Sequence, residues 1–283
     1  MIHRLHHAGR LASLLSAMAA VAASAFAALP AAAAGLDWLV PPPHHHHHDG
    51  APATRVLPWT GGDRLEVAVA ADVRYVQGAD ARVTIAGPVD QIADIVVDGG
   101  VIRHERTSWR LWDWSWPSSQ GVTIVVTAPR IATAGVSGSA RLALGRLAQD
   151  RLDLSVSGSG SVTASGAIKT LDMTVSGSGG VRLTQIAADA VAARLSGSGW
   201  VAAAGSANTL RLAVSGSGGA DMGRLGVQDA DAALSGSGAA VVAPRRSADL
   251  NVSGSGSIRL LTRPPQLVAH RYGSGSIIQP TVG

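Results

Sequence analysis

A four-residue motif, Ser-Gly-Ser-Gly, returns at nearly constant intervals through the second half of this 283-residue chain. The successive spacings between copies are 20, 19, 20, 19, 20, 18 and 19 residues. Repeats of this length and regularity are typical of proteins in which one structural unit stacks on the next. The eight copies open at Ser137, Ser157, Ser176, Ser196, Ser215, Ser235, Ser253 and, with a substitution, Tyr272.

The residues around each motif alternate between apolar and polar. The segment LDLSV at 152–156 leads into the second copy, and LDMTV at 171–175 leads into the third. An Ala, Val, Leu or Ile also stands five positions after every opening residue, from Leu142 to Ile277. A period of two indicates a strand with one buried face.

One such strand with its turns in every 19–20 residues predicts an all-β fold, a parallel β-helix or solenoid of about eight coils. A β-meander would also contain short strands. Its alternate hairpins are antiparallel, however, and would not reproduce a single motif at a single spacing. We therefore expect each coil to pair with the coil above and below it, about 4.8 Å away.

The motif itself resembles a flexible linker, but the alternation continues through it. In that register both glycines point inward, where the wall bends, and both serines point outward. We assign the motif a structural role as the corner of each coil. Its leading glycine and following serine are Gly138 and Ser139, Gly158 and Ser159, Gly177 and Ser178, Gly197 and Ser198, Gly216 and Ser217, Gly236 and Ser237, Gly254 and Ser255, and Gly273 and Ser274.

Four segments follow one another along the chain. Residues 1–34 have the basic start and Ala/Leu-rich stretch of a signal peptide, with cleavage expected somewhere in 27–34; a membrane anchor is the alternative. Residues 35–54 are rich in Pro and His and indicate a flexible tether. Residues 55–130 contain short alternating runs and predict a β-rich lead-in or N-terminal cap. The repeat solenoid occupies 131–283.

The leader and the lack of cysteine favour an extracytoplasmic protein of a bacterium, located in the periplasm, at the cell surface or secreted. No later stretch is long and apolar enough for a transmembrane helix in the mature chain. Removing Arg4 and Arg10 lowers the formal charge from +4 to +2. Because the cations are not clustered, we expect no nucleic-acid partner.

The motifs VSGSGSV, SGSGGV and SGSGWV, together with their order along the chain, resemble the putative auto-transporter adhesin, head GIN domain family. The resemblance includes the lead-in RVLPW, the strand pair ending in VVDGGVIRHE, the run GVTIVVTAPR before VSGSA, and the closing RPPQLVAHRYGSGSI. It covers about residues 55–280. The resemblance implies a right-handed β-helical envelope protein and brings no catalytic motif.

Two segments that depart from that family carry side chains able to bind ligands. The tract His44–His48 would hold a transition metal only loosely, and a solvated tether without metal is the alternative. The stretch WRLWDWSW contains Trp109, Trp112, Trp114 and Trp116. These tryptophans either form an exposed patch for a glycan or a protein, or plug the N-terminal mouth of the solenoid. We assign no metal and no cofactor.

Catalysis has little support in the sequence. Asp153 and Asp172 occupy equivalent positions in adjacent coils and would be neighbours, either as a weak Ca²⁺ pair or as part of a solvated polar face. No nucleophile, zinc or phosphate-binding motif is present. The sequence thus predicts a non-enzymatic, adhesin-like binding module of the cell envelope. A structural protein that stacks end to end and a polysaccharide-active β-helix enzyme are the alternatives. The partner is unknown, and envelope glycans or surface proteins are the classes considered.

Overall fold

The computed structural model describes residues 51–105 and 121–280. Seven strands and one short helix precede the repeat. They are β1 (Pro52–Pro58), β2 (Arg64–Val67), β3 (Asp72–Gln77), β4 (Arg82–Pro88), α1 (Val89–Ile92), β5 (Ile95–Asp98), β6 (Val101–His104) and β7 (Thr123–Ala128). Most of these strands coincide with the alternating runs of the sequence. β1 begins inside the segment whose composition indicates a tether.

The repeat itself is continuous strand, broken only at its corners. Its elements are β8 (Thr133–Gly138), β9 (Arg141–Gly158), β10 (Ser161–Gly177), β11 (Gly180–Gly197), β12 (Trp200–Gly216), β13 (Gly219–Gly236), β14 (Ala239–Val242), β15 (Pro244–Gly254), β16 (Ser257–Leu260), β17 (Gln266–Tyr272) and β18 (Ser276–Ile278). Each long strand wraps one coil and pairs in parallel with the next.

Pairing is in register with the motif. Ser157, Ser176 and Ser196 are direct partners in successive coils, and the same register continues to the last copies. The described residues form a β-solenoid of about seven turns, which confirms the predicted fold class. Its interior is mainly a column of aliphatic side chains, and among the described residues no charged side chain is fully buried. The buried hydroxyl of Tyr75 donates a hydrogen bond to the carbonyl oxygen of Ala128 (2.8 Å).

The motif forms the corner of each coil, but its two glycines differ in burial and conformation. The expectation that both glycines point inward is therefore wrong for the first of them. The second glycine, such as Gly179, is buried as expected. The first, such as Gly177, lies at the surface with φ near +100°. A Cβ on Gly177 would also approach the carbonyl oxygen of Gly158 in the preceding coil to 2.7 Å. The motif serines from Ser139 to Ser274 are exposed, as expected.

Hydrogen bonds between coils explain this corner. The carbonyl oxygen of Gly158 accepts bonds from the N–H groups of Ser178 (2.9 Å) and Gly179 (2.8 Å) in the next coil. The equivalent N–H groups donate to the equivalent carbonyl oxygen at other copies, as Ser237 and Gly238 do to Gly216. Close stacking of backbone on backbone leaves no room for side chains, so the glycines are required by the fold rather than by flexibility.

A second bend accounts for the alternation of 19- and 20-residue spacings. The longer coils contain one extra residue at this bend. In two of them Arg146 and Gln185 adopt a left-handed conformation there, with φ of 57° and 54°. In the shorter coils Gly166 and Gly205 stand at the bend, with φ of 133° and 135°. The small irregularity in the repeat is therefore a bulge at one fixed corner.

The strands before the repeat cover the first coil. β2 and β3 pair in parallel with β8 and β9 and continue the solenoid by one layer. Below them, β1, β4 and β7 form an antiparallel set, and β5 and β6 form a hairpin. Arg55 on β1 donates hydrogen bonds to the carbonyl groups of Ala93 and Ile95 just after α1. The helix α1 has only four residues, which is too few for a helical pattern to be recognised in the sequence.

Candidate functional site

A row of polar side chains follows the solenoid axis, seven residues before the opening residue of the first seven motif copies; the eighth copy has Pro265 at this position. Register places Lys169 between Asp150 and Asp189 in adjacent coils, with Asn208 beyond them. We call this set the polar row, and its members are Arg130, Asp150, Lys169, Asp189, Asn208, Gln228 and Arg246. Seven of the eight equivalent positions are therefore polar although neighbouring positions vary, a signal that the aligned repeats already contained.

Members of the row pair with one another. The Nζ of Lys169 lies 2.7 Å from Oδ1 of Asp150, and Nδ2 of Asn208 donates to Oδ1 of Asp189 at 3.2 Å. The hydrogen bond from Lys169 lowers the pKa of Asp150, and the same bond raises the pKa of Lys169. Both groups therefore stay charged at neutral pH, which fixes an alternation of acceptors and donors along the axis.

A groove of about 700 Å³ lies alongside this row. Its floor is built from exposed small side chains that stand two residues before the row, namely Ala148, Ala167, Ala187 and Ser206. Four coils line it, and Arg130 closes its N-terminal end. We call it the polar groove. An apolar floor beside a polar edge can contact a ligand that has both kinds of surface.

Gln149 adds an unused hydrogen-bond acceptor to the lining of the polar groove. Its Nε2 donates to the carbonyl oxygens of Ile131 (2.8 Å) and Arg151 (2.7 Å), which holds the amide in place. Its Oε1 is buried and has no hydrogen-bond partner within residues 51–105 and 121–280. Such an acceptor carries an energetic cost unless a further donor reaches it.

A second groove, of about 420 Å³, lies on the segment that leads into the motif. Ala213 and Ala233 lie in its floor, and the opening serines of four copies run along it. Arg194 and the 67% exposed Tyr272 stand among its lining residues. Its surface is mostly apolar, and we call it the apolar groove.

Asp153 and Asp172 are neighbours, as their equivalent positions predict. A guanidinium group lies between them, however, because Nη2 of Arg151 is 2.9 Å from Oδ1 of Asp153 and 3.0 Å from Oδ2 of Asp172. The guanidinium group already occupies the space between the two carboxylates and offsets one of their two charges, so the arrangement does not fit a Ca²⁺ pair. This pair belongs to a solvated ion-pair network.

The predicted ligand-binding segments, His44–His48 and Trp109, Trp112, Trp114 and Trp116, lie outside the described residues. Within the described part of the chain, Trp200 is half-buried, and the guanidinium carbon of Arg182 lies 5.0 Å from its ring centroid. No group of three or more His, Asp or Glu side chains could share a metal ion among residues 51–105 and 121–280. The described ranges also contain no helix with the length and apolarity to cross a membrane.

Comparisons with known proteins agree with this architecture. The family model described as "Putative auto-transporter adhesin, head GIN domain" matches residues 63–184 and 169–264. A crystal structure of a "Putative lipid binding protein" from Parabacteroides distasonis superposes with a TM-score of 0.75 and 22% identity, covering 82% of this chain and 98% of that one.

Crystal structures of proteins described as putative adhesins are also similar. One from Parabacteroides merdae has a TM-score of 0.70 and 16% identity, and one from Parabacteroides distasonis has a TM-score of 0.69 and 20% identity. Each covers 82% of this chain and 98% of the other. At these identities the likeness shows a shared fold. No curated protein matches the chain.

Proposed function

Because this chain belongs to the putative auto-transporter adhesin, head GIN domain family, we propose that it is a non-catalytic, adhesin-like binding module of a bacterial cell envelope. The observation that carries the proposal is the set of side-chain rows held in register along a rigid wall, with a groove beside two of them. Equivalent positions are presented once per coil, so an extended partner meets a small or a polar side chain at a regular interval.

Repetition is the physical basis of the proposed contact. Each coil adds one short set of hydrogen-bond donors, acceptors and apolar surface, and each set alone would bind weakly. Once one coil is engaged, the next lies at a fixed distance, so further contacts form without a new loss of translational freedom. A preformed wall also loses little conformational entropy on binding.

An extracytoplasmic location is part of this proposal. Support comes from the composition of residues 1–34, which predicts a signal peptide, and from the adhesin family. Expression of the full gene in a Gram-negative host should release a chain that begins after cleavage somewhere in 27–34. Intact-mass measurement of protein from the periplasm and medium tests this, and an uncleaved chain confined to the cytoplasm would contradict it.

The binding function is tested by exposing the purified protein to a glycan array and to fractionated envelope components, including surface proteins. We expect a saturable signal from at least one class of envelope component. A Trp112/Trp114/Trp116→Ala variant, compared on the same array, reports whether the tryptophan segment contributes. The absence of saturable binding to every glycan and every fraction would overturn the proposed function.

Lipid binding is a second candidate, favoured by the apolar groove. A fold relative is described as a putative lipid binding protein, and the groove presents alanine methyl groups beside the cation Arg194. A fluorescent fatty acid should then bind the wild type and lose affinity in Ala213→Asp. The matched variant Ala187→Asp, in the polar groove, should leave fatty-acid binding unchanged. Equal binding by all three proteins would exclude this groove as a lipid site.

A further inference from the structure

We propose that the polar groove binds a neutral polysaccharide chain lying along the solenoid axis. This inference rests on the binding function proposed above and assigns it a site and a ligand class. It starts from geometry, because four successive coils each place one small residue in the floor and one polar residue at the edge. Coils repeat every ~4.8 Å, a length comparable with one sugar unit in an extended chain.

The floor suits the apolar side of a sugar ring. Ala148, Ala167 and Ala187 are exposed and present methyl groups in a row. A pyranose ring has faces covered by C–H groups, and these can pack against such a flat strip while the hydroxyl groups point to its edges. A larger side chain at any of these positions would occupy the space that the bound polysaccharide needs.

The polar row supplies both hydrogen-bond partners that a hydroxyl group needs. The carboxylates of Asp150 and Asp189 accept hydrogen bonds, Lys169 donates, and the amide of Asn208 does both. The mutual pairing of these groups holds them in place before a ligand arrives.

Charge selects a neutral ligand. Two cations, Arg130 and Lys169, and two carboxylates, Asp150 and Asp189, line the groove, so the formal charges of its lining cancel. Arg130 also pairs with Asp63, which lies outside the lining, at 3.5 Å. An acidic polymer would meet two carboxylates, and a basic polymer would meet two cations. A neutral chain gains the hydrogen bonds without bringing an unpaired charge next to the row.

A peptide strand is a poorer fit to this site. Strands bind by adding to a sheet edge, where backbone N–H and C=O groups are free. The coils under the groove pair with a neighbour on each side, from β9 through β12, so the wall has no free backbone edge there. A ligand in the polar groove must therefore bind to side chains alone. The hydroxyl groups of a sugar can form hydrogen bonds of this kind.

Titration calorimetry with neutral and acidic glycans tests the inference. The probes are cellohexaose, chitohexaose and maltohexaose, with polygalacturonate as the acidic polymer. Wild-type protein should bind at least one neutral oligomer more tightly than polygalacturonate. Ala187→Trp fills the floor and should weaken that binding by about tenfold or more. Thr163→Trp, at an exposed site outside the polar groove, is the matched control and should bind like the wild type.

Far-UV circular dichroism and thermal melts establish that both tryptophan variants are folded. A second variant, Asp189→Ala, removes an acceptor without adding bulk and should also weaken binding. The inference is overturned if no neutral oligomer binds, or if Ala187→Trp and Asp189→Ala both bind like the wild type. It is also overturned if these two variants lose binding to a surface protein rather than to a glycan. Retained binding to another envelope component would leave the proposed function standing in each of these cases.

Discussion

At the scale of single residues, the bends are the most demanding positions in the chain. Gly205 has φ of +135°, and a Cβ there would lie 2.0 Å from the carbonyl oxygen of Ile186 in the preceding coil. The neighbouring backbone is fixed by pairing on both sides and cannot move away. Glycine at this bend is therefore a steric requirement of stacking.

Gly205→Ala should destabilise the protein by about 2–4 kcal/mol, because both the contact and the backbone conformation exclude a side chain. Gly145→Ala is the control, since a Cβ at that position would meet no atom within 4 Å. Denaturant midpoints measured by circular dichroism compare the two. A control variant as destabilised as Gly205→Ala would contradict this account of the bend.

At the scale of the element, ion pairs tie successive coils together at the surface. Asp229 on β13 accepts hydrogen bonds from Nε of Arg246 (2.8 Å) and from Oγ of Ser247 (2.6 Å), both on β15. The bond from Arg246, followed by that from Ser247, lowers the pKa of Asp229 from its ordinary value of 3.8 to about 2. This contact joins the strands where the repeat shortens to 18 residues.

The lowered pKa of Asp229 makes the stability of the folded protein depend on pH in the acidic range. Folding favours the carboxylate, so the stabilisation is present above pH 3.8 and is lost as the pH falls through about 2. Carboxyl-carbon NMR should show Asp229 titrating near 2 in the wild type. In Arg246→Ala its pKa should rise towards 3.8, and in Ser247→Ala it should rise less. An unchanged titration in Arg246→Ala would contradict the assignment of the shift.

The last coil among the described residues has features that protect a sheet edge. β17 pairs with β15 on one side, and its residues are exposed or only half-buried. Arg271 occupies the position that Val252 fills in the coil below, so a cation stands where other coils place an inward aliphatic side chain. Charges on an edge strand hinder pairing with another chain.

We therefore expect the wild-type protein to stay monomeric, against the alternative of end-to-end stacking. Arg271→Val restores the aliphatic position and should promote association as protein concentration rises. Sedimentation velocity across a concentration series measures this, with Arg259→Val on an exposed face of β16 as the control. Wild-type protein that already associates strongly would contradict the protective role of Arg271.

At the scale of the whole molecule, the sequence alone predicted the solenoid, because one motif at one spacing admits few other folds. The polar row was also present in the sequence, seven residues before the first seven motif copies, but its significance became clear only from the groove beside it. The left-handed bends at Arg146 and Gln185 carried no sequence signal, since neither residue type favours that conformation. Likewise, the split roles of the two motif glycines depend on close stacking between coils, which alternation does not encode.

The central claim is that a neutral glycan chain lies along the polar groove, and the dependence of affinity on chain length tests it most directly. Four coils line the groove from Asp150 to Asn208, so affinity should rise with each added sugar up to about four units and then level off. Calorimetry with oligomers of two to eight units measures this, at a stoichiometry of one. Affinity that does not change with length, or no binding at any length, would contradict the claim.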